Sequence, residues 1–370
     1  MIVGIVKEIK NNEYRVSATP ENVKEYIQNG HTVYVESNSG VGANFEDEEY
    51  LNVGAKILYS SKEVYQKSDM IIKVKEPLEE EFEYLKDNQI LFTYLHLAAN
   101  KKLTKVLLEK NITAIGYETI EDKIGGLPCL RPMSEIAGKL SIQQGAKYIE
   151  STYGGKGILL GGVTGVERGK IVILGGGTVG THAAKVATGL GAQVTIIDRS
   201  INRLAYLDDV FGSSITTLYS TKANIEKSVI SADLVIGSIL IPGASAPKMI
   251  TEDMVKKMKK GSVIVDVAID QGGCAETSIV TTHENPVYIK HGIVHYCVGN
   301  MPGAVPHTAT MALTNATQYY GLRIANEGIE NFCRKDNGFL KGVNTYKGMC
   351  VNKNLADSLN LEYFELLNKI

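Results

Sequence analysis

The sequence lacks the features of a membrane-spanning or exported chain. In its 370 residues no apolar run approaches the roughly 18 residues that a transmembrane helix needs. The chain opens directly on a strand-like run, Ile2 to Val6, without the basic and apolar segments of a signal peptide. We therefore expect a cytoplasmic protein that does not enter a membrane.

Cysteine is scarce, and the net charge is close to zero. The five cysteines are widely spaced and include no C-x-x-C pair, which favours reduced thiols over a disulfide framework or a zinc site. A formal net charge of −2 provides no basic surface for nucleic acid or an anionic membrane. The expected partners are therefore small molecules, without a bound metal and without nucleic acid.

Glycine is abundant, and three of the 37 glycines form a spaced group. A strand-like apolar run is followed by Gly175, Gly177 and Gly180, in G-x-G-x-x-G spacing, and then by a helical pattern. The first glycine permits a tight turn, the second lets the backbone approach a pyrophosphate, and the third lets the helix pack on the sheet. A second apolar run ends at Asp198, which can accept hydrogen bonds from an adenosine ribose. The segment therefore predicts a dinucleotide site.

The residues after the second run also indicate which dinucleotide binds. Asp198 favours NAD over NADP because a carboxylate repels a 2′-phosphate. Arg199 could serve a 2′-phosphate, although a solvated surface arginine is the commoner explanation. The alternative for the whole motif is an ordinary glycine-rich loop. The strand before the glycines, the helix after them and the position of Asp198 argue against this alternative. We expect NAD.

Strand-like runs alternate with helical patterns over the first 120 or so residues, which predicts a mostly parallel sheet covered on both faces. The runs are residues 2–6, 31–36, 55–58, 69–75, 89–96 and 112–118, and the helical patterns are residues 20–28, 46–52 and 100–109. The first helix is clearly bounded, with Thr19 as N-cap, Pro20 in its first turn and Gly30 after its end.

Three ionisable residues follow strands of this half. Arg15 lies in the loop after the first run, Lys75 closes the fourth, and His96 closes the fifth. Because ligands bind beyond the carboxyl ends of strands in open α/β sheets, we expect all three at one edge. Each has an alternative reading: Arg15 could pair with Glu13 at the surface, Lys75 beside Glu76 could be solvated, and His96 could cap its strand. Their coincidence favours a substrate site.

The second half repeats the pattern. The chain is predicted to break around Arg131 and Pro132, and Ser134 is the predicted N-cap of a long helix over residues 135–149. Another long helix is predicted over residues 307–326. The further strands are predicted at residues 215–218, 234–239, 263–269 and 294–298, with residues 294–298 as the last strand of the chain. The further helices are predicted at residues 225–230 and 252–259. Asp270 follows the third of these strands at the edge where the cofactor is expected, although an Asp in a glycine-rich turn is most often a turn former.

Together these patterns predict an α/β fold of two Rossmann-like domains, each with a doubly wound parallel sheet, joined by the two long helices. The substrate domain is predicted to be discontinuous, from residues 1–128 and 307–370. The NAD-binding domain is predicted over residues 129–306.

With these residues in place, the chain resembles the alanine dehydrogenase family along nearly its full length. The matching segments are NEYRVSATP, KVKEP, YLHLAAN, RPMSEIAG, LGGGTVG, VDVAIDQGG, HYCVGNMPGAVP and LTNAT. Members of that family catalyse the reversible NAD-dependent oxidative deamination of L-alanine to pyruvate and ammonia, and are typically cytoplasmic homohexamers. The resemblance therefore implies an oxidoreductase of amino-acid catabolism.

The resemblance also implies a role for each residue of the site. Arg15 and Lys75 would contact the substrate, and His96 and Asp270 would form the catalytic pair. The residues that correspond to NAD contacts in the family, with the glycines of the fingerprint, are Ser134, Gly175, Gly177, Thr178, Val179, Gly180, Asp198, Arg203, Ser220, Ile239, Leu240, Val267, Ala268, Ile269, Asp270, Val298, Gly299, Asn300 and Met301.

The chain departs from the family at two places. Ile279 and Val280 stand where the family usually has Arg and Pro, and His307 stands where it usually has Arg. The first departure removes a basic residue that helps to hold the cofactor, which predicts a changed affinity for NAD.

Three other kinds of protein share parts of the pattern. The soluble NAD-binding portion of a proton-translocating transhydrogenase is disfavoured by the joint presence of Arg15, Lys75, His96 and Asp270. Lysine-forming saccharopine dehydrogenase shares the two-domain plan but has a larger substrate. A non-catalytic NAD-binding protein is the third alternative, and measurable turnover would exclude it.

Overall fold

The computed structural model describes residues 1–239 and 246–370, which form two compact units. The first comprises Met1–Met133 with Val305–Ile370, and the second comprises Ser134–Ala304. The assignment of substrate and cofactor roles to two domains stays a prediction. Among the described residues, no helix combines the length and apolar character needed to cross a bilayer.

The strands of both units are short and mostly buried. In chain order they are β1 (Ile2–Ile5), β2 (Thr32–Glu36), β3 (Lys56–Leu58), β4 (Met70–Ile72), β5 (Ile90–Thr93), β6 (Thr113–Gly116), β7 (Lys170–Leu174), β8 (Gln193–Asp198), β9 (Ile215–Tyr219), β10 (Leu234–Gly237), β11 (Val263–Asp266), β12 (Val287–Lys290), β13 (Ile293–Tyr296), β14 (Val343–Tyr346) and β15 (Met349–Cys350).

Each unit contains one sheet whose central strands are parallel. The order in the first unit is β15-β14-β6-β5-β4-β1-β2-β3, and in the second it is β12-β13-β11-β10-β7-β8-β9. Antiparallel pairing is found at β12, β14 and β15, near the sheet edges. The strand order reverses at β1 in the first sheet and at β7 in the second. The predicted α/β fold with two doubly wound sheets is confirmed, with antiparallel edge strands added.

The described helices lie between the strands and follow them. They are α1 (Pro20–Gln28), α2 (Asp47–Asn52), α3 (Ser61–Lys67), α4 (Lys101–Glu109), α5 (Arg131–Tyr148), α6 (Thr178–Gly189), α7 (Ile201–Phe211), α8 (Lys222–Ser231), α9 (Glu252–Lys257), α10 (Pro306–Glu327), α11 (Ile329–Lys335), α12 (Asn337–Leu340) and α13 (Lys353–Leu359). In α1 the Thr19 side chain accepts a hydrogen bond from the Asn22 backbone, which confirms the predicted cap.

Each sheet is stabilised by its own apolar core. In the first unit, Ile71 and Leu91 of the sheet pack with Leu103 and Leu107 of α4. In the second, strand residues such as Val235 pack with residues of α8 and α9. Burial on both faces explains why these strands read as continuous apolar runs.

The predicted strands extend past the observed ones at their carboxyl ends. β4, β5 and β11 each end three residues before the predicted end. After each strand a backbone N–H donates to a carboxylate: Val74 to Glu8 at 2.6 Å, Leu95 to Glu118 at 3.0 Å, and Ala268 to Asp266 at 3.2 Å. These carboxylates turn the chain out of the sheet, and the apolar pattern does not reveal them.

The predicted start of the first long helix is wrong. α5 begins at Arg131, so Ser134 lies inside the helix and is not its N-cap. Pro132 does not break the chain, because the first turn of a helix has backbone N–H groups without intrahelical partners and tolerates proline. The prediction that residues 294–298 form the last strand is also wrong, since β14 and β15 follow. Their short, partly polar sequences lack an apolar run.

Candidate functional site

The first unit brings the three predicted substrate-site residues to one edge of its sheet. Arg15 lies in the segment after β1, Lys75 in the segment after β4, and His96 in the segment after β5. β1 pairs with β4 and β4 pairs with β5, all in parallel, so these segments leave the sheet side by side. The strand order reverses at β1, which is where open α/β sheets bind ligands.

Arg15 forms a buried, two-pronged ion pair with Glu13. Its Nε donates to Glu13 Oε1 at 2.6 Å and its Nη2 to Oε2 at 2.5 Å. The two side chains are 1% and 0% exposed. Nη1 donates to Met133 Sδ at 3.0 Å. The pairing with Glu13 that we considered as a surface alternative therefore exists in the interior.

The ion pair keeps both groups charged despite their burial. Burial alone would raise the pKa of the Glu13 carboxyl, but the hydrogen bonds and charge of Arg15, with the charge of Lys75, hold it below its usual value. Burial alone would lower the pKa of Arg15, and the carboxylate of Glu13 raises it instead. A fixed, charged guanidinium is a suitable anchor for an anion.

Lys75 lies beside this pair and above an aromatic ring. Its Nζ is 6.0 Å from the centroid of the Tyr94 ring. Burial and the nearby charge of Arg15 lower the pKa of Lys75, although Glu13 opposes the shift. Tyr94 is itself fixed by a 2.7 Å hydrogen bond from its hydroxyl to the Cys129 carbonyl. A lysine whose pKa is lowered in this way is typical of functional sites.

His96 presents an exposed imidazole from a left-handed backbone, with φ 48° and ψ 38°. Such a conformation costs a non-glycine residue on the order of 1–3 kcal/mol and is concentrated at functional sites. The imidazole lies nearly parallel to the Tyr94 ring, with centroids 6.2 Å apart and an interplanar angle of 14°. Lys75 and His96 are therefore both beside the same tyrosine.

A buried group of charges supports the segment that carries Lys75. Lys73 is fully buried, with its Nζ 2.8 Å from Glu81 Oε1 and 3.4 Å from Glu8 Oε2. Glu8 also accepts the hydrogen bond from the Val74 backbone, which joins the segments after β1 and β4. Burial raises the pKa of Glu8 to about 7, against the lowering effect of Lys73.

In the second unit, the glycine fingerprint has the geometry of a dinucleotide loop. Gly175 follows β7 with φ +99°, a conformation that side chains rarely adopt. A Cβ at Gly180 would lie 1.9 Å from the Gly175 carbonyl oxygen, so this glycine is needed for the turn to close against α6. A Cβ at Gly177 would meet nothing within 4 Å. Open space at the start of a twelve-residue helix fits the pyrophosphate of a dinucleotide.

Asp198 and Arg203 hold the loop from its other side. Asp198, at the end of β8, accepts from Gly176 N at 2.7 Å through Oδ2 and from Ser200 N at 2.8 Å through Oδ1. Arg203 donates to the Gly176 carbonyl at 2.5 Å and to Thr181 Oγ1 at 2.6 Å. A carboxylate has about four acceptor positions, so Asp198 can also bind ribose hydroxyls.

Replacing Gly177 by alanine tests this loop. The added methyl group meets no protein atom, so we expect a folded protein whose dissociation constant for NAD rises at least about tenfold, because the backbone can no longer approach the pyrophosphate. Gly189→Ala at the end of α6, where a Cβ also has open space, is the matched control. Calorimetric titration with NAD measures both variants, and equal affinities would contradict the predicted phosphate site.

Asp270 lies exposed in the 3-10 turn that follows β11. Its Oδ2 accepts from Asn300 N at 3.3 Å, and a Cβ at Gly299 would lie 3.0 Å from its Oδ1. The buried Asp266 stabilises the same turn, accepting from Ala268 N, from Cys274 N at 2.8 Å and from the Ser278 hydroxyl at 2.6 Å. The turn is therefore held independently of Asp270.

The other predicted cofactor residues lie mainly at the carboxyl edge of the second sheet. Thr178 and Val179 begin α6, Ser134 lies in α5, and Leu240 lies outside the described residues. The predicted residues that come shortly after a strand are Ser220, Ile239, Val267, Ala268, Ile269, Val298, Gly299, Asn300 and Met301. Ser220 N donates to the Asp198 carbonyl at 3.0 Å, which places it beside the proposed ribose site.

The residues that depart from the family pattern have different surroundings. Ile279 and Val280 are 60% and 64% exposed. The His307 Nδ1 is 2.7 Å from the Ala43 carbonyl, and its ring stacks on Phe45 with centroids 5.4 Å apart. Within residues 1–239 and 246–370, no three His, Cys, Asp or Glu side chains are grouped in a way that could hold a metal ion.

Sequence reasoning missed three residues of the first unit. Glu13 was considered only as a surface partner, and Tyr94 and Glu118 were not considered. Tyr94 lies two residues before His96 and could have been found because the strand-like pattern continues to it. Glu118 ends the sixth predicted strand, and its contact with the segment after β5 depends on the order of strands in the sheet.

Comparison with known families agrees with this geometry. The models "Alanine dehydrogenase/PNT, N-terminal domain" and "Alanine dehydrogenase/PNT, C-terminal domain" match residues 4–137 and 141–353. The alanine dehydrogenase of Methanococcus maripaludis is 56% identical over 364 residues, which cover 98% of each chain. Alanine dehydrogenase 2 of Staphylococcus aureus is 52% identical, with the same coverage.

Solved structures show the same relationship. An L-alanine dehydrogenase structure matches with a TM-score of 0.94 and 49% identity, covering 97% of this chain and 99% of that one. A transhydrogenase from Sinorhizobium meliloti matches with a TM-score of 0.82 and 22% identity, covering 95% and 99%. At that identity the second match shows a shared fold alone.

Proposed function

The chain belongs to the alanine dehydrogenase/PNT family, and we propose that it catalyses the reversible NAD-dependent oxidative deamination of L-alanine to pyruvate and ammonia. The observation that carries this proposal is the group formed by the buried Arg15, Lys75 with its lowered pKa, and the exposed His96 around Tyr94. It supplies an anion anchor, a second cation and an acid–base group at one sheet edge.

The two cations act on the substrate. Arg15, held in place by Glu13, binds the carboxylate through charge-assisted hydrogen bonds. Lys75 stabilises the negative charge that develops on the substrate oxygen during hydrolysis. The lowered pKa of Lys75 also lets it give up a proton more readily than an exposed lysine.

His96 carries the protons. It accepts one from the substrate ammonium, so that a C=N bond forms as the hydride leaves Cα with its electron pair. Water then adds to this carbon to give a carbinolamine. Collapse of the carbinolamine breaks the C–N bond, forms the C=O bond of pyruvate and releases ammonia. An imidazole can accept and donate protons near neutral pH, as both directions require.

The second unit is proposed to hold the cofactor. Gly175 and Gly177 receive the pyrophosphate, Asp198 the adenosine ribose, and the segments after β11 and β13 the nicotinamide end. NAD bound there supplies the hydride acceptor. Asp270 orients the attacking water or stabilises the cationic iminium.

The direct test is NADH formation by the purified protein with NAD and a panel of small L-amino acids, together with the reverse reaction from pyruvate and ammonium. We expect strong turnover of alanine with NAD and little with NADP. NAD binding without turnover of any amino acid would favour instead a transhydrogenase-like or non-catalytic NAD-binding protein.

Asp198→Gly tests the choice of cofactor. Charged hydrogen bonds are worth about 1.5–3 kcal/mol, so we expect the KM for NAD to rise roughly 10- to 100-fold while the KM for alanine is unchanged. Discrimination against NADP should weaken, because the repulsive carboxylate is gone. Asp209→Asn, at an exposed position of α7, is the control. A rise in the KM for alanine alone would contradict the proposed ribose site.

We further propose a cytoplasmic homohexamer that works on small molecules and binds neither nucleic acid nor membrane. Support comes from the resemblance to the family and from the near-neutral net charge. Light scattering on the purified protein measures the assembly, and a monomer would contradict the proposal.

A further inference from the structure

The backbone at His96 has a conformation that few non-glycine residues adopt. Ten described non-glycine residues have positive φ, and seven of them are asparagines, which adopt this conformation readily. His96 is one of the three others. Its conformation must therefore be imposed by contacts with the surrounding structure.

The contact that fixes this backbone comes from Glu118. Its Oε1 accepts hydrogen bonds from His96 N at 2.7 Å and from Leu95 N at 3.0 Å, and its Oε2 lies 3.2 Å from Leu95 N. One carboxylate therefore pairs with two successive backbone N–H groups at the point where the chain leaves β5. Bonds to a charged acceptor are stronger than the neutral bonds of a strand ladder.

The position of Glu118 in the fold explains its reach. It lies in the 3-10 turn Tyr117–Thr119, directly after β6. β6 pairs with β5 in parallel, so the ends of both strands are adjacent. Glu118 is half-buried and has no part in the steps proposed above.

We propose that Glu118 is a positioning residue for His96, which aims the imidazole by fixing the backbone that carries it. The proposal rests on the proposed role of His96 as the acid–base group. Glu118 binds the backbone N–H groups of Leu95 and His96. It therefore determines where the backbone places the imidazole ring. A small misplacement of a catalytic group lowers the rate strongly.

Glu118→Gln is the informative substitution. The side chain keeps its size, and its amide oxygen could still accept from both backbone N–H groups, as Oε1 does. The charge is lost, and the amide nitrogen in place of Oε2 would face the Leu95 N–H with a second donor. We expect kcat to fall at least about tenfold, with the KM for NAD unchanged. Glu121→Gln is the matched control, because Glu121 is three residues away and pairs with Lys341. If kcat is equal in the two variants, the proposal is wrong.

A double variant separates positioning from general loss of structure. In the His96→Ala background, Glu118→Gln should have no further effect on kcat, because the group that Glu118 places is absent. A similar fall in both backgrounds would show a purely structural role and overturn the proposal. Glu118→Asp keeps the charge on a shorter side chain and should recover part of the rate. It replaces the glutamine variant as the test if that variant does not fold.

Hydrogen exchange gives a readout that does not depend on activity. The amides of Leu95 and His96 should exchange at least about tenfold faster in Glu118→Gln than in Glu121→Gln. If the wild-type protein turns over no amino acid, the proposed function fails, and faster exchange still supports Glu118 as the group that holds this backbone. Unchanged exchange would refute the role of Glu118 even in an active enzyme.

Discussion

With asparagine in place of His96, we expect an enzyme that still binds NAD and alanine but has a kcat lower by about 100- to 10,000-fold, the usual contribution of a general acid–base group. Asparagine accepts the left-handed backbone that the position requires and cannot exchange protons near neutral pH. The loss should therefore appear in kcat, with little change in stability.

Comparison with alanine at the same position separates chemistry from backbone strain. His96→Ala should lose the same activity and in addition be destabilised by roughly 1–2 kcal/mol, because alanine is disfavoured at positive φ. His291→Asn is the control, since His291 also has positive φ, in the turn between β12 and β13. Steady-state kinetics and urea unfolding distinguish the variants. Full activity in His96→Asn would remove His96 from the mechanism.

The conformation of the glycine loop is the feature that the sequence predicts best, because the local backbone requires glycine at these positions. Positive φ at Gly175 and a 1.9 Å approach at Gly180 leave no other residue type at these positions without rearrangement. The constraint is local, so the local spacing predicts it. Asp198 could also be predicted, because β8 pairs with β7 in parallel and its end therefore lies beside the glycine loop.

The carboxyl edge of the first sheet could be predicted only in part. Arg15, Lys75 and His96 were expected there from their places after strands, but the carboxylates that shape the edge come from distant parts of the chain. Glu8 is 66 residues from Val74, and Glu118 is 23 from Leu95. Such contacts depend on which strands are neighbours in the sheet, and the apolar pattern of one strand does not indicate which strands pair with it.

The ion pair between Glu13 and Arg15 is expected to have the largest effect on stability. Glu13→Ala leaves a guanidinium that is buried and does not lose its proton, which costs about 3–5 kcal/mol in comparable buried pairs. We expect a clear fall in the urea midpoint at neutral pH, where the Glu13 carboxyl of the wild type is ionised. Lys10→Ala removes an exposed ion pair with Glu76 and is the control, with a change below about 1 kcal/mol.

Removing Arg15 instead should reverse the pH dependence. In the wild type the pKa of Glu13 is held below 4.5, so its contribution to stability is present above that pH and is lost as the pH falls further. In Arg15→Met the burial of Glu13 dominates and raises this pKa, so the contribution of Glu13 to stability is greatest at low pH and is lost as the pH rises through the new value. Urea midpoints of the wild type and of Arg15→Met, measured from pH 4 to 8, test this prediction. It would be contradicted if both proteins lost stability as the pH falls.

The double substitution Glu13→Gln with Arg15→Met separates the structural role of the pair from its catalytic role. Uncharged side chains of similar volume often replace a buried ion pair with little loss, so we expect most of the stability of the wild type to return. Activity should not return, because the carboxylate anchor is still absent, and the loss should appear mainly as a higher KM for alanine and for pyruvate. Recovery of both would mean that Arg15 is only a structural residue. Recovery of stability alone is what we expect if Glu13 holds Arg15 in the interior for the substrate.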